Sequence, residues 1–233
     1  MTRINKSKLT KLEIIQVATK KFIEKGFSNT SIKAISDELH MSTGNVTFYF
    51  PSKEHLLAEL VDMLCGFQWK MMEDETSGGK SSIMAIGLEL VAMAAMCEED
   101  EMAKDLYISA YTSALSLEII RKNDTKRAKA LFAEYCPNWT EEQFVEAETL
   151  VSGIEYATLM TTSDSAPINV RIAGAVNAIL RIYNVPEEII NETLDKVLEM
   201  NYRKIGKRVL KEFKEYVENT TEQAFYDLLK NKA

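Results

Sequence analysis

The sequence predicts an all-α fold, and three observations carry this prediction. Apolar residues recur at spacings of three and four along most of the 233 residues, which is the period of a helix that faces a core. No stretch of useful length alternates apolar and polar residues as a half-buried strand does. The four prolines, at positions 51, 137, 167 and 186, each stand at an apparent helix boundary.

The first helix is predicted over residues 11–25. Its apolar stripe consists of Ile14, Ile15, Ala18, Phe22 and Ile23. Gly26 follows as a residue that can adopt the left-handed conformation ending a helix, and Phe27 can fold back on the last turn.

Two short helices come next and are separated by only two residues. The first of them places Ile32, Ile35 and Leu39 on one face. Ser42 can cap the second by accepting a hydrogen bond in its first turn, and Pro51 keeps this helix from continuing. With so short a connection the two helices must cross steeply. This arrangement is a helix-turn-helix, whose second helix enters the major groove of DNA.

The rest of the chain is predicted to be helical with short breaks. Helices are expected over residues 53–75, 81–97, 101–120 with a break near 109–113, 124–135, 141–162, 167–182, 186–199, 202–219 and 222–231. Thr140 and Gln143 fit a capping box, which places the start of the 141–162 helix. Breaks are expected at 76–79 and 163–167. We therefore divide the chain into a three-helix head, residues 1–52, and a helical body, residues 53–233.

Charge is distributed unevenly between the two parts. The whole chain carries a net charge of −7, which argues against a protein that coats DNA everywhere. Residues 1–55 contain nine Lys and Arg against five Asp and Glu, a net charge of +4 that leaves −11 on the remainder. A small basic head on an acidic body confines phosphate affinity to one end.

One continuous pattern gives the head its identity. The run A-x-x-x-F-x-x-x-G-F-x-x-T-S-I-x-x-I-S, followed by S-T-G-N-V-x-F-Y-F-x-S-K-E-x-L-L, resembles the DNA-binding head of the tetracycline-repressor (TetR) family over about the first 60 residues. Two positions depart from what that family usually shows. The turn has His40 where a glycine is common, and the recognition helix has Thr47 where an aromatic residue is common.

The helix-turn-helix defines the expected DNA contacts. The residues expected to face the groove are Ser42, Thr43, Asn45, Thr47 and Phe48. Tyr49 and Lys53 are expected to clamp the flanking phosphates, and Thr30 and Ser31 could offer hydroxyl and N–H groups to a phosphate. The partner is therefore double-stranded DNA, read as an inverted repeat.

Several other classes of protein are disfavoured by composition. Both histidines, His40 and His55, fall in the head, so the body has no imidazole for nucleophilic catalysis or for a histidine metal site. No glycine-rich phosphate loop occurs, and we expect no enzyme activity, no cofactor and no metal. The polar N-terminus lacks the core of a signal peptide, and no apolar window reaches membrane-spanning length. Three cysteines without metal or redox spacing indicate reduced thiols in a cytoplasm.

Two body helices have the composition of an interface. The 141–162 helix carries Ile154 and Thr158 on an apolar stripe, and the 167–182 helix is apolar over most of its circumference, with Gly174 and Ala178 among its small residues. One chain could cover these faces by itself. The alternative is a two-fold, four-helix interface, and the resemblance to the TetR family implies that homodimer.

A ligand would bind in the body between residues 60 and 160. Methionines cluster there and can line an adaptable apolar cavity, although they are as readily ordinary core. The candidate ligand residues are Trp69, Met93, Met96, Tyr107, Tyr111, Glu155 and Met160. Glu89 and Glu155 stand among apolar neighbours and could meet a cationic or polar group, although glutamate is more common on a solvated face.

These observations favour a homodimeric transcriptional repressor that a small hydrophobic ligand releases from its operator. Family resemblance implies that the ligand would shift the helix starting at Lys53 and move the two heads out of register. One alternative is a constitutive DNA-binding regulator without an effector. A second, of a different class, is an α-helical adaptor that binds proteins and no DNA.

Overall fold

The computed structural model describes residues 6–76 and 82–221, and within these ranges the chain is all-α, as predicted. The described residues form α1 (Lys6–Lys25), α2 (Ile32–Glu38), α3 (Thr43–Tyr49), α4 (Lys53–Glu75), α5 (Ser82–Glu99), α6 (Glu101–Thr112), α7 (Ala114–Phe132), α8 (Glu141–Leu159), α9 (Ile168–Ile182), α10 (Glu187–Glu199) and α11 (Tyr202–Glu218). Most of the break predicted at 76–79 and the whole helix predicted at 222–231 lie outside the described residues.

The signals that end and begin helices act where the sequence placed them. Gly26 has a φ of +85°, and the rings of Phe22 and Phe27 lie 5.1 Å apart across the end of α1. At the start of α8 the Thr140 hydroxyl accepts from the Gln143 N–H, and the Gln143 side chain accepts from the Thr140 N–H at 2.8 Å. The capping box is therefore confirmed.

The break expected near 109–113 is confirmed at Ser113, but the break expected between residues 120 and 124 was wrong. From Ala114 to Phe132, α7 runs without interruption through the polar residues expected to separate two helices. Those residues are used inside the helix. The Asn123 side chain donates to Asp62 of α4 at 3.1 Å, and Asp124 lies 3.3 Å from Arg127 one turn later. Tertiary contacts thus outweigh the weak helix preference of Asn and Asp.

The centre of the body is α5. Its residues from Leu90 to Cys97 are all buried, and six helices (α4, α6, α8, α9, α10 and α11) pack against it. The closest approach is that of α11, where a Cβ on Gly206 would lie 2.7 Å from the carbonyl oxygen of Ala92. A helix that is apolar on all sides needs such complete cover.

Three body helices hold the head through α1. The Gln16 side chain of α1 donates to the carbonyl oxygen of Val217 in α11 at 3.0 Å. Asp105 of α6 accepts a hydrogen bond from the Ser28 N–H at 2.8 Å and another from the Ser28 hydroxyl, directly after α1. Together with α4, which follows the head in sequence, α6 and α11 provide the physical contacts between head and body.

Candidate nucleic-acid interface and interior cavity

The helix-turn-helix is built from two capped helices and a strained turn. The Ser31 and Ser42 hydroxyls accept from the N–H groups of Ala34 and Asn45, at 3.1 and 3.2 Å, and so begin α2 and α3. His40 has a φ of +52° in the turn between them. This conformation is uncommon for a residue with a Cβ, and it is the conformation expected where related heads have glycine.

The outward face of α3 is polar, with one exposed ring. Val46 is fully buried and anchors the helix. Phe48 is 80% exposed, the most exposed large apolar side chain among the described residues, and Tyr49 packs edge-on against it with ring centroids 5.3 Å apart. The exposed residues beside Phe48 are Ser42, Thr43, Asn45 and Thr47. This face thus has the hydrogen-bonding and apolar groups that can meet base edges.

Thr30 and Lys53, two of the residues expected to contact DNA, form hydrogen bonds within the protein. Thr30 is buried, and its hydroxyl donates to the carbonyl oxygen of Gly26 at 2.8 Å. The Lys53 ammonium donates to the carbonyl oxygen of Phe27 at 2.8 Å and lies 4.1 Å from the centre of the Phe27 ring. Thr30 thus stabilises the turn after α1, and Lys53 holds that turn against the start of α4. Their contacts with DNA stay predictions.

An interior cavity of about 70 Å³ lies in the body between α4, α5, α6, α7, α8 and the end of α9. Its walls combine apolar side chains, such as Leu64, Met93 and Val151, with an unusual number of polar ones. The volume exceeds that of a single water site and is well below the roughly 300–1,000 Å³ of sites for drug-sized ligands. The cavity as it stands fits a molecule of a few heavy atoms.

Among the described residues, Arg127 is the one basic side chain in the cavity wall. Its guanidinium lies 3.2 Å from Glu89 and 3.3 Å from Asp124, donates to the carbonyl oxygen of Cys65, and lies 4.7 Å from the Trp69 ring. Burial opposes its charge, but Glu89 and Asp124 outweigh that effect and raise the pKa of Arg127. Arg127 is therefore fully occupied by the wall itself.

Glu148 and Glu155 complete the acidic part of the wall. The Tyr183 hydroxyl donates to Glu148, and the Tyr111 hydroxyl donates to Glu155 at 3.0 Å. Neither carboxyl has a basic partner at ion-pair distance among the described residues. Burial, reinforced by nearby acids, raises the pKa of Glu148 to about 8 and that of Asp124 to about 7, and it raises the pKa of Glu155 well above its ordinary value.

The cavity brings together four of the seven expected ligand residues, namely Met93, Tyr107, Tyr111 and Glu155. Trp69 lies behind Arg127, Met96 packs against α11, and Met160 is 46% exposed at the end of α8, so these three are outside the cavity wall. The sequence analysis missed Arg127, Asp124 and Glu148. A signal was present, because Glu148 and Glu155 share the helical face of the buried Val151.

The stripe of α8 expected at an interface faces the protein's own core. Thr158 is buried and Ile154 packs against the core. Both were expected on an outward interface, and in the structure both face inward. The outward stripe is instead Leu150, Gly153, Ala157 and Met160. On α9, Gly174 is exposed and Ala178 is half-buried, as an outward face requires.

Other kinds of site find little support in the described part of the chain. Across residues 6–76 and 82–221, no three His, Cys, Asp or Glu residues lie close enough to hold a metal ion. Burial raises the pKa of Cys65, Cys97 and Cys136, so these thiols are poor nucleophiles. The helices described here are all too short or too polar to cross a membrane.

Comparisons with known proteins agree with this geometry. The family described as "Bacterial regulatory proteins, tetR family" matches residues 14–60, which cover most of α1, all of α2 and α3, and the start of α4. The chain is 43% identical over 49 residues to an uncharacterized HTH-type transcriptional regulator, YuxN, of Bacillus subtilis (strain 168). That match spans 21% of this chain and only 17% of the relative.

Solved structures extend the likeness to the body. The crystal structure of RolR without ligand aligns with a TM-score of 0.57 at 18% identity, covering 78% of this chain and 95% of the other. A gamma-butyrolactone receptor described as ArpA-like aligns at 16% identity over 88% of this chain and 98% of its own, with a TM-score of 0.43. At these identities the first alignment supports a shared fold.

Proposed function

We propose that this chain, whose residues 14–60 match the DNA-binding head of the TetR family of bacterial regulatory proteins, is a homodimeric repressor. Each α3 would read one half of an inverted-repeat operator, and a small ligand in the body cavity would release the protein. The observation that carries the proposal is the outward face of α3, where a largely exposed Phe48 stands beside polar side chains. On the second helix of a helix-turn-helix, such a face offers hydrogen-bonding groups to base edges and an apolar contact to a thymine methyl group.

The ligand arm of the proposal rests on where the cavity lies. Gln68 of α4 lines it, accepts from the Tyr107 hydroxyl at 2.9 Å and donates to Glu89 at 2.8 Å. Tyr107 and Tyr111 line it from α6, the helix whose Asp105 holds the turn after α1. A ligand that binds one arrangement of these side chains better than another would shift the helices on which the head rests.

The dimer arm rests on exposed apolar surface. Four of the seven exposed large apolar side chains among the described residues are Val145, Leu150, Met160 and Val170, on or beside α8 and α9. A Cβ on Gly153 or on Gly174 would meet nothing within 4 Å, so a second helix could approach closely at both positions. Two copies of this face would form a four-helix contact about a two-fold axis.

Of the alternatives, the constitutive regulator has a specific observation in its favour, which is the small volume of the cavity. The adaptor would require the polar face of α3 to bind a protein instead of DNA. Both alternatives are separated from the repressor by measurements of DNA binding with and without ligand.

The test is selection of operator DNA from a random duplex library, followed by binding measurements at rising salt. We expect an inverted repeat, with an affinity that falls steeply as salt rises. Asn45→Ala should relax the preference at one base pair in each half-site and cost about 1–3 kcal/mol. Glu73→Gln, on the outer part of α4, is the matched control and should leave binding unchanged. Failure to bind any duplex at low salt would replace the repressor with the adaptor.

A further inference from the structure

The acidic wall of the cavity indicates what kind of ligand it accepts. We propose that the cavity binds a compact organic cation, a protonated amine on a small apolar body. This inference rests on the proposed ligand-responsive function and gives the ligand a chemical class.

Acidic side chains outnumber basic ones in the cavity wall. Four carboxyl groups, those of Glu89, Asp124, Glu148 and Glu155, line a space whose one basic group is Arg127. Arg127 is engaged by the first two. Glu148 lines the cavity, and only 4% of its surface is exposed. It accepts a hydrogen bond from the Tyr183 hydroxyl and has no cationic partner among the described residues. A buried acid without a counter-charge is costly to ionise, and a cation placed beside it removes that cost.

The rest of the lining suits the same kind of ligand. Tyr107, Tyr111, Phe132 and Tyr183 line the space, and aromatic rings can attract cations. The carboxyls are not arranged as a metal-binding set among the described residues, so the ligand is an organic cation and not a metal ion. An organic acid would find no free basic partner among the described lining residues, because Arg127 already pairs with Glu89 and Asp124. The hydrophobic ligand expected from the sequence is thereby narrowed to a cationic one.

Binding of a cation should be linked to pH. The titratable groups facing the cavity are Cys65 from α4, Glu89 from α5, Tyr107 and Tyr111 from α6, Asp124 and Arg127 from α7, Glu148 and Glu155 from α8, and Tyr183 after α9. Burial raises the pKa values of Glu148 and Glu155, so the empty cavity disfavours their charged forms. A bound cation stabilises their charged forms, so binding releases protons and strengthens as pH rises.

The experiment compares three probes of nearly equal size and different charge: isobutylamine, isobutanol and isobutyrate. Each is added at about 20 mM to the full-length wild-type protein at about pH 8, where the amine is protonated, and thermal unfolding is followed. We expect the amine to raise Tm, with an affinity roughly tenfold above that of the alcohol, and isobutyrate to have no effect. Calorimetry in two buffers of different ionisation enthalpy should show proton release with the amine.

Substitutions in the cavity wall test whether the amine binds there. Glu148→Gln and Glu155→Gln keep the shape of the side chain and remove its charge, and each should weaken amine binding roughly tenfold and reduce proton release. Glu146→Gln, an exposed glutamate on the same helix, is the matched control and should change neither. If both cavity variants keep full amine binding, the cation site is elsewhere and the proposal is wrong.

Two other results would also overturn it: equal or stronger stabilisation by isobutanol or isobutyrate, or no stabilisation by any of the three probes. Operator binding measured on the same preparations separates this outcome from failure of the proposed function. A protein that binds an operator but not the amine contradicts the ligand class alone. A protein that binds the amine but no DNA contradicts the repressor and leaves the cation site standing.

Discussion

Ionisation of Glu148 opposes folding, because this carboxyl is buried without a basic partner among the described residues, and its titration should be visible in stability. Its pKa is raised to about 8 in the folded protein, chiefly by burial, whereas an unfolded chain ionises glutamate near its model value of 4.5. Between these values unfolding releases a proton, so the free energy of unfolding should fall as pH rises from about 5 to 8. The slope is at most about 1.4 kcal/mol per pH unit for one group.

Urea denaturation of Glu148→Gln at several pH values tests this expectation. The amide oxygen can still accept from the Tyr183 hydroxyl, and no ionisation remains, so the decline of stability with pH should be shallower than in wild type. Glu146→Gln, which is exposed, should keep the wild-type slope. A steeper slope in Glu148→Gln would show that this carboxyl is ionised in the folded state.

At the residue scale, local chemistry was predictable and long-range chemistry was not. Ser42 and Thr140 cap their helices as predicted, because a cap depends on neighbours two or three residues away. Thr30 and Lys53 were expected to contact DNA. In the structure each donates a hydrogen bond of 2.8 Å to a carbonyl oxygen in the turn after α1. For Lys53 that partner is 26 residues away, and no sequence pattern specifies it.

At the scale of elements, the contact between α5 and α11 gives the sharpest expectation. Gly206→Ala would place a methyl group 2.7 Å from the Ala92 carbonyl oxygen, so one helix must move. Overpacking of this kind costs about 1–3 kcal/mol. Gly66→Ala is the matched control, since a Cβ at that position in α4 meets nothing within 4 Å and should stabilise the helix by up to about 1 kcal/mol. Chemical denaturation of both variants decides between these signs.

The positions of the helices were predicted far better than the neighbours against which each helix packs. Every described helix coincides with a predicted one except α7, where residues 121–123 were expected to separate two helices. The surrounded helix is α5, although α9 was the helix expected to need cover on nearly all sides. Periodicity reveals that a face is apolar, but which helix covers it depends on the packing of the whole body. This is also why the apolar stripe of α8 could be mistaken for an interface.

At the scale of the whole molecule, the proposed repressor would require two heads held at a fixed distance. A single half-site contributes too little affinity for stable binding, and symmetric half-sites require a two-fold dimer. The family resemblance and the fold of the head could be predicted from the sequence, because the pattern that carries them is confined to residues 14–60. The cavity was only half predicted, because its polar groups come from five helices and the segment after α9.

The dimer can be tested with a matched pair of substitutions. Gly174 in α9 and Gly66 in α4 are both exposed helical glycines, and a Cβ at either position meets nothing within 4 Å. Arginine should therefore fit on the isolated protomer at both sites. Only Gly174→Arg would place an unpaired charge in the proposed four-helix contact, where burial without a partner costs several kcal/mol. We expect Gly174→Arg to sediment as a monomer and to lose operator binding, while Gly66→Arg stays dimeric and binds. If the wild-type protein is monomeric at micromolar concentration, or if Gly174→Arg remains a dimer, the interface lies elsewhere than on α8 and α9.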